Sequence, residues 1–274
     1  MKTRTLLDSG GVQVADVQCD GRQASWSDVE QVRGYVVVFV RRGCFRRRAS
    51  GFESLLDPAV AYFGRPGDEQ NISHPVSGGD ACTAVGLSEE LLASLRGGWP
   101  ALPERPTFTT PTTDMRHRAL VSGLKRAHDP WEAAEAAIAL VAALLEEHGD
   151  PAVEAGRPAT RAGQDRIVRD ARQALALDAR ISLVGLAHMV GASPHHLSRI
   201  FRRRTGETVS GYRNRLRVRR ALERLAAGER NLSRLAADLG FTDHSHLVRT
   251  LRAEVHAPPS RLRSQLRDDL DVVK

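Results

Sequence analysis

Nine polar residues in two separate stretches carry the chemistry that stands out: His195, Ser198, Arg199, Arg202 and Arg203 in one, His244, Ser245, Arg249 and Arg252 in the other. On the outward face of a helix lying in the DNA major groove, an arginine donates two parallel hydrogen bonds to guanine O6 and N7. Arg199 and Arg249 are the expected base contacts, with His195, Ser198, His244 and Ser245 beside them. Arg202, Arg203 and Arg252 are expected on phosphate.

These residues recur because the segment around them repeats. Leu186-Ala187, Val190-Gly191, Leu197, Arg199, Phe201 and Arg202 correspond in order to Leu235-Ala236, Leu239-Gly240, Leu247, Arg249, Leu251 and Arg252, at an offset of 49 before a turn and 50 after it. Each copy predicts a short amphipathic helix, a glycine where the chain takes a positive φ, and a second helix opened by a capping residue. Ser193 with Pro194 behind it opens one and Asp243 the other. Leu197, Ile200 and Phe201, and Leu247, Thr250 and Leu251, are expected to face inward. Between the copies, residues 209–227 predict one long helix with Tyr212, Leu216, Arg217, Ala221 and Leu225 along a similar side. Such a rod would hold both second helices on one face of DNA, in successive major-groove turns about 34 Å apart.

The stretch from Ser182 to Arg263 resembles the DNA-binding domain of the AraC/XylS family over nearly its whole length. The resemblance rests on LSRIFRRRTG (Leu197 to Gly206), Tyr212 followed by Arg217 and Ala221, LAADLGF (Leu235 to Phe241) and PPSRLR near the end. It departs at Leu247 and Leu251, where aromatics are usual, at His256, where glycine is common, and at Leu262, where tyrosine is common. The resemblance implies a transcription regulator that binds double-stranded DNA as a homodimer. It also implies an accessory domain, often a cupin-like β-barrel, that governs dimerisation or the response to a small-molecule effector.

Charge is segregated along the chain in the way such a division of labour requires. Residues 166–267 hold 21 arginines, no lysine and eight carboxylates, a net +13, so with +7 overall the remainder carries −6. One part is built to meet phosphates and the other is not. Hydrophobic residues at 41% and charged ones at 27% are those of a globular protein. No apolar stretch is long enough for a signal peptide or a membrane span, so a cytoplasmic protein without membrane contact is expected.

Residues 1 to about 105 read as short strands punctuated by Gly and Pro, with Tyr35 to Val40 the strongest strand. Helices follow from about Thr113 to about His128 and, after Asp129-Pro130, to near Gly149. The second of these presents Ala134, Ile138, Val141 and Leu145 on one face, for its own domain or for a dimer. The expected fold is α+β in two domains: an N-terminal cupin-like β-barrel followed by helices, and a C-terminal all-α double helix-turn-helix. The expected divisions are a sensor domain at 1–112, a helical dimerisation or packing segment at 113–148, a linker at 149–163 and the DNA-binding domain at 164–270.

No catalytic set and no cofactor motif is found in the N-terminal part. His74 lacks a His-x-His partner, so no metal site is expected there. Cys19, Cys44 and Cys82 are too widely spaced for a disulfide framework. They offer two readings: a thiol sensor of oxidants or soft metals, with Arg42, Arg46 and Arg47 favouring a thiolate at Cys44, or small apolar packing residues. Trp26, Trp99 and Trp131 are expected as core anchors. The alternative to a ligand-controlled regulator is a DNA-binding tail on an enzymatic or thiol- or metal-sensing domain.

Overall fold

The computed structural model describes residues 1–21, 24–75, 78–125, 129–147 and 158–266. The strands are β1 (Lys2–Ser9), β2 (Val12–Cys19), β3 (Glu30–Gln31), β4 (Tyr35–Arg42), β5 (Phe45–Ala49), β6 (Phe52–Leu56), β7 (Val60–Gly64), β8 (Glu69–Ser73), β9 (Asp80–Leu87) and β10 (Thr107–Phe108), with helix α1 (Glu89–Leu95) after β9. The helices that follow are α2 (Pro111–Lys125), α3 (Pro130–Glu147), α4 (Pro158–Leu177), α5 (Leu183–Met189), α6 (Pro194–Thr205), α7 (Val209–Ala226), α8 (Leu232–Leu239), α9 (His244–Val255) and α10 (Pro259–Leu266).

The strands form two antiparallel sheets rather than a closed barrel, in the orders β1-β2-β9-β4-β7-β10 and β3-β8-β5-β6. The apolar run of β4 explains the layering, because successive side chains of a strand point to opposite faces. Val37 and Phe39 join Val14, Phe63 and Val85 in a core closed by α3 and by Leu92 and Leu120. Val38 and Val40 turn the other way and, with Tyr62 and Cys82, meet Phe45 and Leu56 of the smaller sheet. Around β4 the larger sheet is therefore covered on both faces, which is why this strand is apolar from Tyr35 to Val40.

Several expectations are changed by this packing. Ala134, Val141 and Leu145 of α3 are buried in the core of their own sheet, with Ile138 packed against it, so that face is not available to a partner. Trp99 and Trp131 are 74% and 70% exposed and anchor no core. Trp26 is half-buried under the Arg48 guanidinium. Of the expected linker, residues 149–157 lie outside the described residues and 158–163 belong to α4.

The C-terminal helices are docked on the N-terminal unit through buried polar groups. Asp57, fully buried in the β6–β7 turn, accepts from Arg172 Nη2 of α4 (2.9 Å) and from the Tyr212 hydroxyl of α7. Arg172 Nε in turn donates to the Tyr212 oxygen (3.0 Å). Burial alone would weaken the Arg172 charge, but Asp57 and Tyr212 hold its pKa above the ordinary value. A second contact places Arg219 of α7, 2% exposed, against Thr109, where Nη2 donates to Oγ1 (2.6 Å) and to the carbonyl (3.0 Å). Asp114 of α2 lies 3.7 Å from Arg219 and 3.0 Å from Arg118. Around these, Ala59 and Phe108 enter the core of α4 to α7, and Met115 enters that of α7 to α10.

Candidate nucleic-acid interface

Two helix-turn-helix units, α5–α6 and α8–α9, are strung along α7. Ser182 and Asn231 cap the first helices, and Ser193 and Asp243 cap the second, accepting from His196 N (3.2 Å) and His246 N (2.7 Å). Gly191 (φ 64°) and Gly240 (φ 75°) make the turns in the left-handed region expected of them. At Gly240 a Cβ would also come within 2.7 Å of Arg180 Cγ, so the site needs glycine for space as well as for conformation.

The second helices end differently. Gly206 closes α6 at φ 76°, and the matching position of α9 is His256 at φ 52°. The departure from glycine noted in the sequence thus falls on a left-handed C-cap. Relief of steric strain outweighs the added freedom of the unfolded chain, so His256→Gly should stabilise the protein by up to about 1 kcal/mol. A lowered thermal midpoint would contradict this. The other departures, Leu247, Leu251 and Leu262, are fully buried in the core of the second unit.

On α6, Leu197, Ile200, Phe201 and Thr205 are buried, while His195, Arg199, Arg202 and Arg203 are exposed and Ser198 is half-buried. On α9, Leu247, Leu251 and Val255 are buried, Thr250 is half-buried, and His244, Ser245, Arg249 and Arg252 are all exposed. Eight of the nine residues singled out in the sequence therefore lie on the solvent-facing sides of the two second helices, with Ser198 half-buried at the edge. Docking of the N-terminal unit leaves those sides open.

The excess of arginine has a second use that composition does not reveal. On α7, Arg213 donates to Ile181 O (3.2 Å), Arg217 to Ala179 O (3.0 Å), Arg220 to Ala176 O and Arg219 to Thr109. Arg215 pairs with Glu207 (2.5 Å), and Arg224 pairs with Glu229 (2.6 Å) and Asp238 (2.7 Å). These side chains tie the long helix to its neighbours by holding carbonyls and carboxylates. Much of the local +13 charge is thus structural, whereas Arg199, Arg202 and Arg203 of α6 and Arg249 and Arg252 of α9 are exposed.

The three cysteines divide between two cavities. Cys44 lines a cleft of about 210 Å³ bordered by Leu216, Arg219 and Arg220 of α7. Burial first, then Asp57, push its thiol up to about 12, against the lowering by Arg46 and Arg172. Of the two readings offered for Cys44, the thiolate is therefore disfavoured by burial and Asp57, and Arg47 gives it no help, being turned to Gln70 (2.7 Å) and the Tyr62 ring. Cys19 and Cys82 line a cavity of about 520 Å³ between the sheets, and burial raises the Cys82 thiol well above its usual range. Sequence reading missed the company Cys19 keeps there. His74 and Asp80 stand beside it, Asp80 directly opposite Cys19 in the β2–β9 register.

Comparison with known proteins agrees with the C-terminal geometry. Residues 186–265 match the model of a helix-turn-helix domain family. None of the curated proteins compared matches the chain. Among solved structures, ToxT from Vibrio cholerae O395 is similar at 9% identity over 93% of this chain and 98% of that one (TM-score 0.39). An AraC-type DNA-binding domain-containing regulator from Chromobacterium violaceum is similar at 24% identity over 39% of this chain and 98% of its own (TM-score 0.37). A cupin superfamily protein from Desulfitobacterium hafniense DCB-2 is similar at 14% identity over 31% and 75% (TM-score 0.27). The chain is a DNA-binding transcription regulator. Its residues 186–265 are a helix-turn-helix domain. Among the described residues, no helix is long and apolar enough to cross a membrane.

Proposed function

We propose that this regulator reads specific DNA sequences with α6 and α9, as a cytoplasmic homodimer, and that a small molecule entering the cavity between its sheets controls it. It acts by binding, without a catalytic step. The observation that carries this reading is the exposure of both basic helix faces while the N-terminal unit is docked on the same helical domain. A homodimer contact has to use surface other than the buried face of α3.

A packed path supports the coupling of cavity to DNA. Phe45 and Tyr62 line the cavity and share a core with Leu56. Asp57 follows Leu56 and holds Arg172 and Tyr212, and the Tyr212 ring meets Phe201 of α6 edge-on at 5.3 Å. A ligand that shifts the cavity wall acts on α6 only by favouring one of two arrangements of this contact.

Band-shift titration on a site recovered by genome-wide mapping tests the DNA reading. Arg199→Ala and Arg249→Ala should each cost about 1–3 kcal/mol on that site and relax preference at one base position. Arg202→Ala should weaken all DNA alike. Equal losses on every sequence for the first two variants would overturn base reading by these arginines.

A further inference from the structure

Cys19, His74 and Asp80 come together from the end of β2, the residue after β8 and the start of β9. One ligand atom from each lies within 4.8 Å of the others. The antiparallel pairing of Cys19 with Asp80 sets both side chains on one face of the larger sheet. His74 Nε2 is 2.6 Å from Asp80 Oδ2, and the Cys82 thiol donates to Asp80 Oδ1 (3.4 Å). His74 and Asp80 are both buried, at 8% and 4% exposure.

The backbone around them is packed to a tolerance that only glycine allows. A Cβ on Gly79 (φ 68°) would lie 2.1 Å from Cys19 O, and one on Gly43 (φ 85°) would lie 2.3 Å from Gly79 O. Gly79, just ahead of Asp80, is thereby pressed against the end of β2, which sets the carboxylate beside the thiol.

We propose that Cys19, His74 and Asp80 form a binding site for one divalent transition-metal ion of the zinc and cobalt class. A thiolate, an imidazole and a carboxylate are the donors such an ion takes, whereas magnesium and calcium favour oxygen alone. On binding, Cys19 releases its thiol proton to solvent and His74 binds as neutral imidazole, its hydrogen bond to Asp80 giving way to the ion. Thiolate and carboxylate together cancel the double positive charge, which a site among Phe45, Tyr62 and Ile72 requires. Three protein donors leave a coordination position for a donor from the cavity.

The full-length protein, stripped with chelator and titrated with cobalt(II), tests this without DNA, so failure here leaves the DNA reading standing. One ion per chain is expected, with a sulfur-to-cobalt charge-transfer band displaced by zinc(II). Cys19→Ser, a near-isosteric change at a half-buried position, should abolish the band and weaken binding by more than about 100-fold, beyond the loss typical of outer-shell changes. His74→Gln and Asp80→Asn should weaken binding too, with far-ultraviolet dichroism and DNA binding reporting the fold. Cys44→Ser, in the other cleft, should change neither band nor affinity. No cobalt binding, a band that persists in Cys19→Ser, or an equal loss in Cys44→Ser would each overturn the proposal.

Discussion

Asp57→Ala is expected to lower the unfolding free energy by about 3–5 kcal/mol, the cost of leaving a buried charge without its partner. Asp57 is fully buried, and its carboxylate accepts from Arg172, Tyr212 and the Ala59 amide (2.8 Å). Alanine leaves the Arg172 guanidinium enclosed by the Phe108 and Tyr212 rings with no counter-charge beside it. Replacing both charges, as Asp57→Ala with Arg172→Met, should recover part of the loss, because the uncompensated charge goes with the carboxylate. Urea unfolding followed by circular dichroism measures both variants. A single-variant loss below about 1 kcal/mol, the range of a surface pair, would show that the ion pair is open to water. Because Tyr212 also packs on Phe201, Asp57→Ala should alter DNA affinity without touching any residue of the outward faces.

The second large effect is a loss of stability in mild acid that one histidine controls. His117 of α2 is 1% exposed and stacked on Phe39, with ring centroids 4.7 Å apart. Burial is the main cause that lowers its pKa to about 3; Asp114 opposes the fall, and Arg118, Arg41 and Arg219 add to it. A histidine depressed in the native state resists a proton that the unfolded chain accepts near pH 6.5. Its contribution is therefore fully present above pH 6.5 and is lost as pH falls toward 3. Between pH 6.5 and 5 the loss should be about 2 kcal/mol, at about 1.4 kcal/mol per pH unit. His117→Phe should keep the stack on Phe39 and flatten the slope over that window. An unchanged slope in the variant would assign the acid sensitivity elsewhere.

Both effects lie where the two units meet or where a helix closes on a sheet, which is where sequence reading was weakest. The repeat around Leu186 to Arg202 and Leu235 to Arg252 was legible because helical period, caps and turn glycines are local signals. The outward placement of Arg199 and Arg249 follows from spacing against Leu197, Phe201, Leu247 and Leu251 within single helices. By contrast, the arginines of α7 look alike in sequence, yet Arg219 is buried against Thr109 while Arg199, Arg202 and Arg203 on α6 face solvent. Their partners stand as much as 110 residues away, beyond the reach of any local pattern. Trp99 and Trp131 were misjudged for a related reason: residue type states a preference for burial, and neighbours decide it.

The sequence by itself determined the double helix-turn-helix, its capping residues, its left-handed turns and the face each second helix turns to solvent, because these depend on residues within about one or two helical turns of one another. Only the tertiary structure decided that the helical domain is docked through Asp57 and Asp114, that α3 is spent on its own sheet, and that Cys19, His74 and Asp80 share one corner of a cavity. Each of these depends on strand register and on packing between elements far apart in the chain, where a slip of one residue would turn Cys19 away from Asp80.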